Sequence, residues 1–174
     1  AVWFFSRSDA REIRNVLLIS MDTCRADYLS CYGYEYKTTP YIDALSKKGV
    51  LFENTISPIP LTLPAHSSML TGTIPPYHGI HDNTGYRLDK SNITLAEILK
   101  DNGFSTGAVI GAFVLDSSFG IDQGFDSYND RFEEERITPG NISERTGGEG
   151  TRLAIDWLEG HKKEKFFFFL HYYF

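Results

Sequence analysis

Short, continuous apolar runs alternate along this chain with stretches patterned as helices, and that alternation limits the possible folds more than any other feature. Asn15-Val16-Leu17-Leu18-Ile19-Ser20 is the first run, apolar and partly β-branched. Phe104 to Val114 is a second, rich in small residues, and Lys165 to Tyr173 is a third. Runs of this kind read as buried strands. Between them, Thr39-Pro40 opens a helix as N-cap and first helical residue. Tyr41, Ile42 and Leu45 would form its apolar face, and Gly49 would end it. Val50-Leu51-Phe52 predicts the start of another strand. Pro58, Pro60 and Pro64 punctuate a loop, followed by a short helix through Leu70. Thr94-Leu95-Ala96-Glu97 is a capping box, and Gly103 stops that helix. Gly150 to Gly160 predicts a helix with Leu153, Trp157 and Leu158 facing inward. Strands and helices in this order predict an α/β fold: a mostly parallel sheet with helices on both faces. Sites in such sheets gather outside the carboxyl ends of the strands.

Composition narrows the function classes. Hydrophobic residues make up 41% and charged residues 23% of the 174, which excludes a disordered chain. The 17 Lys and Arg against 23 Asp and Glu leave a net charge of −6, which argues against a nucleic-acid partner. An acidic protein that handles anions must attract them locally, through a metal or helix ends. Cys24 and Cys31 are too few for a disulfide scaffold; burial as small apolar groups is expected of them, and pairing stays open. No apolar run reaches the roughly 18 residues that a membrane span needs. Ala1-Val2-Trp3-Phe4-Phe5 reads as the end of a removed signal or anchor, or as an arbitrary boundary. The last residues run through what reads as a buried strand, which is expected of a fragment.

Three segments carry possible chemistry. Asp22 follows the first strand directly, where a carboxylate either binds a hard divalent cation or caps the next helix. Thr62 lies just before a helix whose first turn holds Pro64. Its hydroxyl there is near free N–H groups, a position that suits an alkoxide and an anionic substrate, or an ordinary N-cap. His66 is one turn on, near the same face, placed to give a proton or hydrogen bond to substrate oxygens. His78-Gly79-Ile80-His81-Asp82-Asn83 offers polar ligands in a loop, or simply turn chemistry.

Taken in order, Asn15–Asp27, Thr39–Leu45, Leu63-Pro64-Ala65-His66-Ser67-Ser68-Met69-Leu70-Thr71-Gly72, His78-Gly79-Ile80 and Asn83 resemble the N-terminal portion of the sulfatase family. This is the sulfatase-like branch of the alkaline phosphatase superfamily. The resemblance covers roughly residues 14–130. It implies a three-layer α/β sandwich, present here as an incomplete N-terminal part. Residues 1–14 would be a stub and 15–174 a partial catalytic domain. It implies one or two divalent cations (Ca²⁺, Mn²⁺ or Zn²⁺), with Asp22 matching the first metal-ligand aspartate and Thr23 standing where many relatives have a second acid. Thr62 falls on the nucleophile position and would also ligate metal, and His66 falls where the family has Arg. Asn83 matches an Asn that contacts the substrate oxyanion, and His171 a substrate-site His. Thr62 cannot become the formylglycine of the usual sulfatases. Gly111-Ala112-Phe113-Val114 replaces the usual Gly-Lys-x-His, so neither sulfate-binding base is present. Phe174 occupies an Asp position.

The expected activity is metal-dependent hydrolysis of sulfate or phosphate esters by in-line attack of Thr62, through a covalent intermediate, on a small-molecule, glycan or lipid ester. A phosphoethanolamine-type headgroup transferase and a non-catalytic, truncated domain are the alternatives. The resemblance also implies a periplasmic, secreted or membrane-anchored location. A nucleotide-binding domain is excluded by the lack of any Gly-x-Gly-x-x-Gly or P-loop pattern.

Overall fold

The computed structural model describes residues 13–132, 136–137 and 143–173. Four parallel strands form the main sheet: β1 (Asn15–Met21), β2 (Ser105–Val109), β3 (Ser127–Asn129) and β6 (Phe166–Tyr172), in the order β1-β6-β2-β3. A small antiparallel pair, β4 (Arg136–Ile137) with β5 (Ser143–Glu144), forms a second sheet, bridged at Glu144 to Ala112. The helices are α1 (Pro40–Ser46), α2 (Thr62–Thr71), α3 (Pro75–His78), α4 (Leu95–Asp101) and α5 (Gly147–His161).

Side chains alternate across the sheet, and each face has its own helices. Phe167 and Phe169 of β6 pack with Leu63 and Leu70 of α2 and Ala96 of α4. Phe168 and Leu170 point the other way, against Ala154 of α5, with Trp157 and Leu158 beside them. This is the expected three-layer arrangement. The Trp157 indole lies against β2 at Gly107, where an added Cβ would collide with the ring. The α4 capping box forms as expected: Thr94 Oγ1 accepts from the Glu97 N–H, and Glu97 accepts from the Thr94 N–H. Gly103, at φ +80°, turns the chain out of that helix into β2.

Several local expectations are corrected. β1 is not buried on both faces, because α5 packs over β6 and β2 rather than over β1: Leu17 and Ile19 are about half exposed while Val16 and Leu18 pack into the core. Val50-Leu51-Phe52 forms no strand; no strand pairs with it among the described residues, and Val50 and Phe52 are exposed. The α1 face expected to be apolar core carries Tyr41 and Leu45 at 90% and 69% exposure. Gly49 does not end that helix in a left-handed turn; Lys47 is its C-cap. Cys24 is exposed, Cys31 half-buried, and both are free thiols. Among the described residues no helix is long and apolar enough to cross a membrane. The stub residues 1–12 and Phe174 lie outside the described residues.

Candidate functional site

The register of the sheet assembles the site. Ser20 of β1 lies directly beside His171 of β6, and the Asp22 N–H donates to the Tyr172 carbonyl at 2.9 Å, extending the ladder one residue past β1. Asp22 is thereby fixed at the carboxyl ends of β1 and β6. Thr23 follows at φ +60°, a left-handed conformation that is strained for a β-branched residue. Its N–H turns back to donate to Asp22 Oδ1 at 2.8 Å.

The start of α2 meets this corner. Thr62 is the first residue of the helix rather than its N-cap; Leu61 holds the cap position and has no side-chain oxygen to offer. The Thr62 hydroxyl is therefore free of capping and donates to Asp22 Oδ2 at 2.7 Å. The helix end has few N–H groups left for an anion. Leu63 N–H donates to Asn83 Oδ1 at 2.9 Å, Ala65 N–H to the Leu61 carbonyl, and Pro64 has none. The cap comes instead from a distant loop. Because Asn83 accepts through Oδ1, its Nδ2 carries the donors, and these have no partner among the described residues.

Asp22, Thr23, Arg25, Thr62, Asn83 and Tyr173 line one open cleft of about 540 Å³. Burial pushes the Asp22 carboxyl up, but hydrogen bonds from His171 and Thr62 outweigh it and hold the group at about 2. Asp22 is thus ionised at neutral pH. Among the described residues no Lys or Arg pairs with it; the Arg25 guanidinium forks onto Asp27 at the rim. An unpaired carboxylate beside a hydroxyl oxygen is a hard donor set that fits a divalent cation.

The family model for sulfatases matches residues 14–173. The chain belongs to the sulfatase family. It is 34% identical over 111 residues to mouse (Mus musculus) steryl-sulfatase, a match covering 58% of this chain and 18% of that protein. The matched stretch thus spans about a fifth of the relative's length. A protein solved in complex with its substrate D-glucosamine-2-N,6-O-disulfate superposes with a TM-score of 0.75 at 24% identity, over 92% of this chain and 34% of the other. The phosphonate monoester hydrolase of Agrobacterium radiobacter superposes with a TM-score of 0.72 at 21% identity, over 91% of this chain and 40% of the other. The chain has the α/β fold of these two solved structures.

The fold brings Asp22, Thr23, Thr62 and Asn83 together on the cleft wall. The expected contact of His66 and His171 with substrate oxygens does not match their positions. Both lie behind the wall, at 3% and 1% exposure, because the α2 side chain at 66 and the β6 side chain at 171 face each other across the helix–sheet interface. His66 Nδ1 meets the Thr62 carbonyl at 2.7 Å and Nε2 the Ser20 hydroxyl at 2.8 Å. Burial pushes His66 down to about 4, so the ring is neutral at neutral pH. Sequence reasoning gave no role to Ser20 or Gly111, whose contacts with the histidines depend on strand register. His78, expected in a loop, is instead the last residue of α3 and is also buried, bonded to Ser68 Oγ at 2.9 Å.

Proposed function

We propose that the whole protein is a metal-dependent hydrolase of sulfate or phosphate esters, in which residues 15–174 form part of the catalytic domain and Thr62 is the nucleophile. The observation that carries this reading is the Thr62 hydroxyl hydrogen-bonded to an ionised Asp22 that, among the described residues, no Lys or Arg pairs with, on the wall of an open cleft. Asp22 and the Thr62 oxygen, with Thr23 beside them, are the groups that would hold Ca²⁺, Mn²⁺ or Zn²⁺. When bound, such a cation stabilises negative charge and makes a hydroxyl oxygen more nucleophilic.

The chain's own residues do the rest. Asp22 orients the hydroxyl, so that Thr62 Oγ faces the cleft. Thr62 Oγ forms a bond to sulfur or phosphorus as the bond to the leaving alcohol breaks, and the hydroxyl proton ends on that alcohol. Water then cleaves the Thr62 ester and restores the hydroxyl. The free Asn83 amide donors lie at the same end of α2 and suit an anionic oxygen. Arg25, the cation on the cleft lining, gives an acidic protein a local attraction for anions. The family implies a small-molecule, glycan or lipid ester as substrate and a periplasmic, secreted or membrane-anchored location.

The test uses the full-length protein with aryl phosphodiesters and aryl sulfates, each with Ca²⁺, Mn²⁺ or Zn²⁺. Thr62→Ala is expected to lower kcat/KM by about 10³-fold or more with an unchanged circular dichroism spectrum. Near-wild-type activity in that variant overturns the assignment. Transfer of the headgroup to an alcohol in preference to water would make the protein a transferase that uses the same threonine.

A further inference from the structure

We infer that His171 is a positioning residue: a neutral imidazole whose tautomer is fixed from behind by the Gly111 backbone, so that its Nε2–H holds the Asp22 carboxylate. A backbone N–H can only donate. The Gly111 N–H points at His171 Nδ1 from 3.2 Å, so Nδ1 presents its lone pair and the ring proton sits on Nε2. That proton is directed at Asp22 Oδ2, 3.4 Å away, the same oxygen that accepts from Thr62. The ring is 1% exposed, so no water competes for either nitrogen.

Glycine is what allows the approach. A Cβ at position 111 would lie 2.6 Å from the His171 carbonyl oxygen and 3.0 Å from the Tyr173 nitrogen. Only a residue without one brings its N–H against the imidazole here.

His66 is fixed in the opposite sense. The Thr62 carbonyl can only accept, so Nδ1 carries the proton and Nε2 accepts from Ser20 Oγ–H. The two rings meet edge-on, centroids 4.8 Å apart at 79°. One imidazole supports the carboxylate through Oδ2, and the other holds the backbone of the residue whose hydroxyl that carboxylate receives.

Asp22, His66 and His171 also offer three ligand atoms within 4.8 Å of one another, an arrangement that could hold a metal ion. Proton placement argues otherwise. A ligating nitrogen must be unprotonated. His171 Nε2 is protonated while Nδ1 accepts from Gly111, and the free nitrogen of His66 is occupied by Ser20. The cluster is a hydrogen-bonded support beneath the cleft.

This inference deepens the proposed function, taking its meaning from Asp22 and Thr62 as the working pair. Its test reads proton positions and not turnover, so the two readings can fail separately. Long-range ¹H–¹⁵N spectra of the full-length protein, labelled with ¹⁵N-histidine, are recorded at neutral pH with and without Zn²⁺. The expected result is His171 as the Nε2–H tautomer and His66 as the Nδ1–H tautomer, with the His171 proton retained when Zn²⁺ is added. A His171 Nδ1–H tautomer, or loss of its Nε2 proton to Zn²⁺, overturns the proposal. The wild-type spectrum decides even where variants misfold. Where they fold, His171→Gln, which keeps a donor near the Nε2 position, should retain kcat/KM within about 10-fold. His171→Ala should lose about 100-fold, mainly in kcat. Equal losses in both would also overturn it.

Discussion

β1 and β6 are neighbours in one parallel sheet, both are seven residues long, and both supply the site, yet their surroundings differ sharply. β6 lies between β1 and β2, with α2 and α4 on one face and α5 on the other, and Phe167, Phe168 and Phe169 are wholly buried. Among the described residues β1 has a single strand neighbour, and α5 lies over β6 and β2. Its Leu17, Ile19 and Met21 consequently remain 36–50% exposed. In these two segments the apolar run does mark a strand. How many of its faces are covered is decided by sheet order and by where the helices land.

The largest expected effect tests this directly. Phe168→Ala removes a side chain with no exposure, so it combines lost burial with a cavity, and should cost about 3–5 kcal/mol in urea unfolding. Leu17→Ala, its register partner on β1, should cost about 1 kcal/mol, since half of the side chain already meets water. Similar losses at the two positions would mean that the exposed face of β1 is covered in solution.

The same contrast explains what the sequence showed and what it hid. Local chemistry was legible: the Thr94–Glu97 box, the helix starting around Thr62–Pro64, and the placement of Asp22 directly after a strand were all readable from spacing. Asp22, Thr62 and Asn83 line one cleft. Val50-Leu51-Phe52 shows where local signals fail. Its residues have strong strand preference, but a strand also needs a partner, and pairing is set far away in the chain. His66 and His171 fail for a similar reason. A histidine one turn after a nucleophile position can face cleft or core, and only the pairing of Ser20 with His171 under α2 decides that both face inward.

A second way to separate the strands is by pH, because the interface of β6 with α2 buries a neutral imidazole, which β1 meets through Ser20. His66 is pushed from 6.5 to about 4 by burial. Between those values the unfolded chain binds a proton that the folded chain refuses, so stability must fall as pH drops from about 6.5 toward 4. The slope is at most about 1.4 kcal/mol per pH unit, and the total is on the order of 3 kcal/mol. Asp22 acts in a lower window: its depressed pKa contributes stability above 3.8 that is lost only as pH falls toward 2. Urea midpoints at several pH values should show His66→Gln with a flatter dependence than wild type over the upper window. Part of the slope will persist, because burial also lowers the pKa of His78. An unchanged slope would show that His66 is not protected from protons.

The smallest effect concerns the ends of the two strands. β6 runs on into Tyr173 in ordinary backbone conformation, whereas β1 leaves through Asp22 into Thr23 at φ +60°, the one non-glycine residue with positive φ among those described. Thr23→Gly should relieve this strain and stabilise the fold by about 1 kcal/mol, the benefit reduced by the extra freedom of glycine in the unfolded chain. The N–H that donates to Asp22 Oδ1 survives the change, so the carboxylate keeps that anchor. Thr23→Val is the control. It keeps the β-branch and the strain but deletes the hydroxyl, so any stabilisation it shows cannot come from backbone relief. If Thr23→Gly gains nothing over wild type in urea unfolding while Thr23→Val matches it, the left-handed turn is not strained. If glycine gains and valine does not, the protein spends stability to turn the chain sharply after Asp22, at the corner where the carboxylate meets the Thr62 hydroxyl.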